Sequence, residues 1–176
     1  MAIDIYQKLV LGKETFLPIK SDSDTFQMDW WMEPGGVVPQ HIHRYMDEHF
    51  EIISGTAIFI VDGKKITKNK NDELFIPKGV AHGIKNNSSE ILNIKVTYTP
   101  AADTAHMFKI MAFLNQKYPG QASNMVKYFY MFPKLGLKPF SEIPSPFIMR
   151  TLAAILNMVG FLAGWNKLVK AYKQTN

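Results

Sequence analysis

Phe26, Met28, Trp30 and Met32 alternate with Gln27, Asp29, Trp31 and Glu33. Apolar and polar positions that alternate with period two predict a strand with one face turned inward. Pro34-Gly35-Gly36 ends that run. In TAIFIVDGKKI, Asp62-Gly63 sits between two apolar stretches, the signal of a tight hairpin. ELFIPKG predicts a short strand entering a Pro-Gly bend, and Asn86-Asn87-Ser88-Ser89 a turn. Leu92, Ile94, Val96 and Tyr98 then alternate with Asn93, Lys95 and Thr97. Many short strands with turns every eight to twelve residues indicate an antiparallel barrel or jelly roll.

The pattern changes after Thr99-Pro100. Residues 103–117 have helical spacing, with Met107, Ile110, Met111 and Leu114 on one stripe. Residues 121–131 predict a second helix. Pro133, Pro139, Pro144 and Pro146 break the chain into a loop, and Phe147 to about Tyr172 reads as one long helix. The expected organisation is a β-barrel over 1–102 and a helical, basic, apolar extension over 103–176.

Between Phe147 and Trp165 only Arg150, Thr151 and Asn157 are polar. The first expectation is a helix packed on the barrel or in a homodimer interface, helped by residues 103–131. The alternatives are an anchor lying on a membrane surface through 147–172 and, last, a true span. Gly160-x-x-x-Gly164 would suit close helix packing.

Charge follows the same division. Residues 1–102 carry 11 basic and 13 acidic side chains, and residues 103–176 carry 9 and 2. The overall +5 therefore belongs to the extension. Its basic residues are scattered singly without aromatic RNA-type motifs, so no nucleic-acid partner is expected. The absence of cysteine excludes disulfides, thiolate metal sites and cysteine nucleophiles. MAIDIYQKLVLGKE has no apolar run before a small-residue cleavage site. The expected location is cytoplasmic, with peripheral membrane association as the alternative.

Candidate chemistry is concentrated in two segments. His41 and His43 are two apart, so both imidazoles can leave one face of a strand. Glu48 lies at an odd offset from them, and Arg44–Asp47 must turn or bulge to bring it round. His82 follows Pro77 and Gly79, which bend the chain. Three imidazoles and a carboxylate make a divalent-metal site. His49 should face away from Glu48, and His106 lies on the expected helix.

Gly35, His41, His43, Glu48 and Gly55 stand at the intervals of one short motif, and Pro77, Gly79, His82 and Asn86 at those of a second. In this the chain resembles the cupin superfamily. Asn71 stands where that family usually has Gly, and Asn tolerates the positive φ such a turn needs. The resemblance implies an all-β double-stranded β-helix, the jelly-roll or cupin barrel, here with a C-terminal helical extension. It also implies one divalent transition metal (Fe, Mn, Ni, Cu or Zn) on His41, His43, Glu48 and His82.

Motif order and the Tyr98-Thr99-Pro100 exit resemble the quercetinase-like members. That implies a metal-dependent dioxygenase acting on an aromatic or diketone-like small molecule, with Glu48 doubling as a base. Inward barrel positions by alternation are Met28, Trp30, Phe50, Ile52, Ile84, Ile94, Val96 and Tyr98. Met28, Trp30, Phe50, Ile94 and Tyr98 are the expected substrate contacts. The alternative is a cupin module that binds a small ligand or a metal without turnover.

Overall fold

The computed structural model describes residues 3–121, 123–143 and 145–175. Ten strands come first: β1 (Leu9–Leu11), β2 (Glu14–Ser21), β3 (Phe26–Met32), β4 (Val37–His41), β5 (Asp47–Ser54), β6 (Thr56–Val61), β7 (Lys64–Asn69), β8 (Glu73–Ile76), β9 (His82–Lys85) and β10 (Leu92–Thr99). Four helices follow: α1 (Thr104–Lys117), α2 (Ser123–Lys134), α3 (Pro146–Leu162) and α4 (Asn166–Thr175).

The strands form two antiparallel sheets, one in the order β1-β2-β3-β10-β5-β8 and one in the order β4-β9-β6-β7. Alternation decides what lies between them. Phe26, Met28, Trp30 and Met32 are buried on β3, Glu48, Phe50 and Ile52 on β5, and Leu92, Ile94, Val96 and Tyr98 on β10. Each large apolar side chain so buried stabilises the fold by roughly 1.5–3 kcal/mol. The register puts Ile94 opposite Trp30 on one side and Ile52 on the other, so the faces cannot slip by one residue without exposing the set.

Turn chemistry fits these pairings. Asp62 and Gly63 both take positive φ, 45° and 76°, as a two-residue hairpin between β6 and β7 requires. Asn71 adopts φ 70°, the left-handed conformation expected of it. Asn86 is fully buried, and its side-chain amide donates to the carbonyls of Met32 and Glu90. That second-motif asparagine thus ties β9 to the end of β3.

α1 covers the β1–β3 side of the larger sheet. Phe108 stacks on Phe26 at 5.0 Å and meets Phe16 edge-on at 6.1 Å. α4 buries Leu168, Val169 and Tyr172; its Tyr172 ring meets Phe113 of α1 edge-on at 5.4 Å. Ala122, within the expected second helix, and Pro144, among the expected chain-breaking prolines, lie outside the described residues. Pro133 lies in the last turn of α2, which ends one residue later.

The C-terminal expectation needs correction in three respects. Phe147 to Tyr172 is not one helix: α3 and α4 are separated by Ala163–Trp165 and bent by 84°. Gly164 takes φ 70°, its N–H bonds the Phe161 carbonyl, and the Trp165 N–H bonds the Gly160 carbonyl. That is a Schellman ending, which closes the helix by satisfying its last carbonyls. The two glycines do not act together: only the first serves close helix packing. A Cβ on Gly160 would stand 2.3 Å from the Tyr130 ring of α2, so Gly160 is the contact between α2 and α3, and Gly164 is a turn residue. Nor is α3 buried on the barrel; most of its large apolar side chains are exposed. No single helix among the described residues is long and apolar enough to cross a membrane.

Candidate metal centre

His41 ends β4 and pairs with His82, which begins β9. His43 comes two residues after His41, past Ile42, which bridges to Glu142. The chain then bends at Arg44 and Tyr45 before β5 starts at Asp47. That irregular stretch supplies the expected change of face, and Glu48 arrives buried and pointing the same way as Phe50 and Ile52. The Pro77–Gly79 bend is fastened to the other motif: the Gly79 N–H donates to the His43 carbonyl at 2.8 Å.

One donor atom from each of His41, His43, Glu48 and His82 lies within 4.8 Å of all the others. Nε2 of His41 is 3.1 Å from Nε2 of His43. Oε2 of Glu48 is 2.8 Å from Nε2 of His82 and 3.3 Å from Nε2 of His43. Adjacent ligands on an ion with bonds of about 2.1 Å and near-right angles stand roughly 3 Å apart. The four donors therefore have the spacing of a coordination sphere.

The second nitrogen of each ring is committed to a carbonyl. Nδ1 of His41 lies 2.9 Å from the Pro39 oxygen, Nδ1 of His82 3.0 Å from the Val80 oxygen, and Nδ1 of His43 2.5 Å from the Phe140 oxygen. A carbonyl only accepts, so each Nδ1 carries the hydrogen. A neutral ring then leaves Nε2 as a bare lone pair. Three Nε2 atoms and a carboxylate face one another, and only protons or a cation can hold them together.

The electrostatics agree. Burial first, then His43 and His82, push His41 down to about 4, so it remains neutral. Burial opposes the charge on Glu48, but His43 and His82 outweigh it and hold the carboxyl well below its usual range. His82 is also opposed by burial, yet Glu48 raises it above the ordinary imidazole value. Tyr98 is raised far above a free phenol, first by burial and then by Glu48, whose carboxylate it hydrogen-bonds. It therefore remains a protonated donor that orients Glu48.

Expected pocket residues divide into two groups. Tyr98 and Phe50 adjoin the centre, with their rings 5.4 Å from His43 and 6.4 Å from His82. Met28, Trp30 and Ile94 are buried in the barrel core, where Trp30 stacks on Phe16 at 5.7 Å. The Trp30 indole N–H, also buried, has no hydrogen-bond partner among the described residues. His49 and His106 stand outside the cluster; His49 pairs with Glu73 at 3.0 Å, and His106 lies 3.7 Å from Asp103.

Two contributions were not visible in the sequence. The segment around Phe140–Glu142, between α2 and α3, lies across the centre as a strap. Its Phe140 ring meets His43 at 4.8 Å and Tyr98 at 5.2 Å, and Glu142 exchanges backbone hydrogen bonds with Ile42 and a side-chain ion pair with Arg44. A contact spanning 97 residues leaves no periodic signal. The other is Glu14 on β2, whose carboxyl burial raises to about 7.

Residues 28–98 match the family model of the Cupin domain. Over 55 residues the chain is 34% identical to a mannose-1-phosphate guanylyltransferase of Klebsiella pneumoniae, 31% of this chain and 12% of that protein. Over 71 residues it is 25% identical to the tetracenomycin polyketide synthase protein TcmJ of Streptomyces glaucescens, 40% of this chain and 48% of that one. The match thus spans half or less of the length of these curated relatives. Among solved structures, an RmlC-like cupin from Shewanella frigidimarina superposes with a TM-score of 0.53 at 19% identity, over 57% of this chain and 88% of that one. KdgF from a Halomonas species does so at 0.51 and 17%, over 55% and 88%. These likenesses establish the double-stranded β-helix fold, with the Cupin domain match confined to residues 28–98.

Proposed function

We propose that this cupin domain binds one divalent transition metal through His41, His43, Glu48 and His82, and uses it to act on a small aromatic or diketone-like molecule. The observation that carries the reading is the arrangement of the imidazoles. All three have Nδ1 tied to a backbone carbonyl and Nε2 turned to a common point beside an ionised carboxylate. Backbone acceptors that fix ring orientation are the usual support of metal-ligating histidines.

The finer reading is a dioxygenase. Held by these four residues, such an ion would supply Lewis acidity and, for a redox-active metal, a route for electrons to dioxygen. The chain's own residues do the rest. Tyr98 donates to Glu48 and holds it in place. Glu48, on letting go of the metal, doubles as the base that takes a proton from an acidic hydroxyl or diketone carbon. Phe50 and Tyr98 offer apolar surface beside the centre, while Met28, Trp30 and Ile94 pack in the core behind it. A relative named for polyketide synthesis supports a substrate rich in ketones. The match to a small part of a longer protein favours the second reading, a ligand-binding module without turnover.

The test is elemental analysis of the purified protein, then dioxygen uptake with flavonols, catechols and β-diketones after loading with iron, manganese, nickel, copper or zinc. Uptake that needs metal and falls at least about a hundredfold in Glu48→Gln supports the dioxygenase. One metal per chain with no uptake across the panel leaves the module. Absence of metal binding rejects the metalloenzyme and leaves only a module that binds a small ligand without metal.

A further inference from the structure

α3 carries an apolar surface that nothing among the described residues covers. Phe147 is 80% exposed, Leu162 76%, Phe161 69% and Met158 60%, with Ile148, Leu152, Ile155 and Val159 also exposed. At 3.6 residues per turn these side chains occupy about half of the helix circumference. The opposite side holds Met149, Leu156 and Gly160, which are partly or fully buried, and Gly160 sits on Tyr130. Arg150 and Asn157 lie along one margin. So wide an apolar face is far more than a soluble surface tolerates singly.

Charge tells which occupant fits. From Phe147 to Thr175 there is no acidic residue, while Arg150, Lys167, Lys170 and Lys173 are exposed. α4 turns its own apolar side chains inward and leaves its lysines on the surface next to the exposed end of α3. A second copy of the chain seated on α3 would bring two such basic surfaces together. An anionic bilayer complements them. α3 is 17 residues, about 25 Å, short of a tilted span, and the 84° break after it leads into an amphipathic helix. That is the geometry of a helix lying in the plane of a membrane surface.

We propose that α3 docks this protein on anionic membranes, its Phe147–Leu162 face in the acyl boundary and the α4 lysines on the headgroups. The strap over the metal centre ends at Glu142, four residues before α3 begins, at most about 14 Å of chain. Docking therefore sets the metal centre beside the bilayer.

The experiment is sedimentation of the full chain with vesicles of phosphatidylcholine alone or mixed with equal phosphatidylglycerol, with light scattering in the absence of lipid. The chain should pellet with the mixed vesicles, with an affinity at least about tenfold above that for phosphatidylcholine, and release as salt is raised. Phe147→Ser/Phe161→Ser/Leu162→Ser and Lys167→Glu/Lys170→Glu/Lys173→Glu alter only exposed positions, so both should keep the wild-type circular dichroism and lose the pelleting. Failure to pellet with either vesicle, or undiminished pelleting of the serine variant, overturns the proposal. So does a dimer without vesicle binding that becomes a monomer in the serine variant, which would place a second copy on α3.

Discussion

His43 is held from two sides: a carbonyl of the strap takes its Nδ1 hydrogen, and its Nε2 faces Glu48 and His41. Removing His43 or His82 takes away one of four converging donors and weakens the hold on an ion. His43→Ala and His82→Ala should lower bound metal at least about tenfold by elemental analysis, while His49→Ala, paired outside the cluster with Glu73, should retain it. Glu14 makes a separate prediction. Its carboxyl rises from 4.5 to about 7 because burial disfavours the charge. The folded state thus binds that proton more tightly than the unfolded chain. The resulting stability is fully present below about 4.5 and is lost as pH climbs through about 7. Glu14→Gln should melt like wild type near pH 4 and be more stable at pH 8, by on the order of 1–3 kcal/mol in denaturant titrations.

At the scale of elements, the strap and the α2–α3 contact are the parts that join the extension to the barrel. Phe140 packs on both His43 and Tyr98. Phe140→Ala removes those edge-to-face contacts and loosens the carbonyl that orients His43. It should cost about 1–3 kcal/mol of stability and weaken metal binding in the same titration that leaves His49→Ala unchanged. Gly160→Ala tests the other joint. Alanine favours a helix by about 1 kcal/mol over glycine, but its Cβ would stand 2.3 Å from the Tyr130 ring. The clash should win, with a net loss of about 1–3 kcal/mol by thermal melting and freer α3 amides in hydrogen exchange.

At the scale of the whole molecule, a ligand that binds only the folded chain stabilises it by mass action. If the four donors hold an ion, a hundredfold excess of metal over its dissociation constant adds about 2.7 kcal/mol. For a chain of 176 residues that raises the melting temperature by roughly 5–10 °C, and His82→Ala should abolish the shift.

β3, the β6–β7 hairpin, β8, β10 and the helical change after Thr99 were legible because each rests on local periodicity or turn chemistry, and burial on β3 and β10 follows it residue by residue, whereas β1 and β2 were not read. The positive φ of Asn71 was legible for the same reason, since only a turn at one residue had to be judged. The four clustered donors could be chosen from spacing and residue type. That the three rings turn Nε2 inward depended on carbonyls at Pro39, Val80 and Phe140, the last supplied from 97 residues away. The fate of the last apolar run was likewise not readable. Its hydrophobicity predicted a single helix covered by the barrel, a second copy or a membrane surface, whereas Gly164 and the seat of Gly160 on Tyr130 decided a break and a face that the barrel does not cover. By itself the sequence determined what each segment prefers, because periodicity and turn chemistry act within a few residues. Which distant backbone oxygen fixes an imidazole, and which apolar face goes uncovered, only the tertiary structure decided, because those depend on contacts closed across the chain.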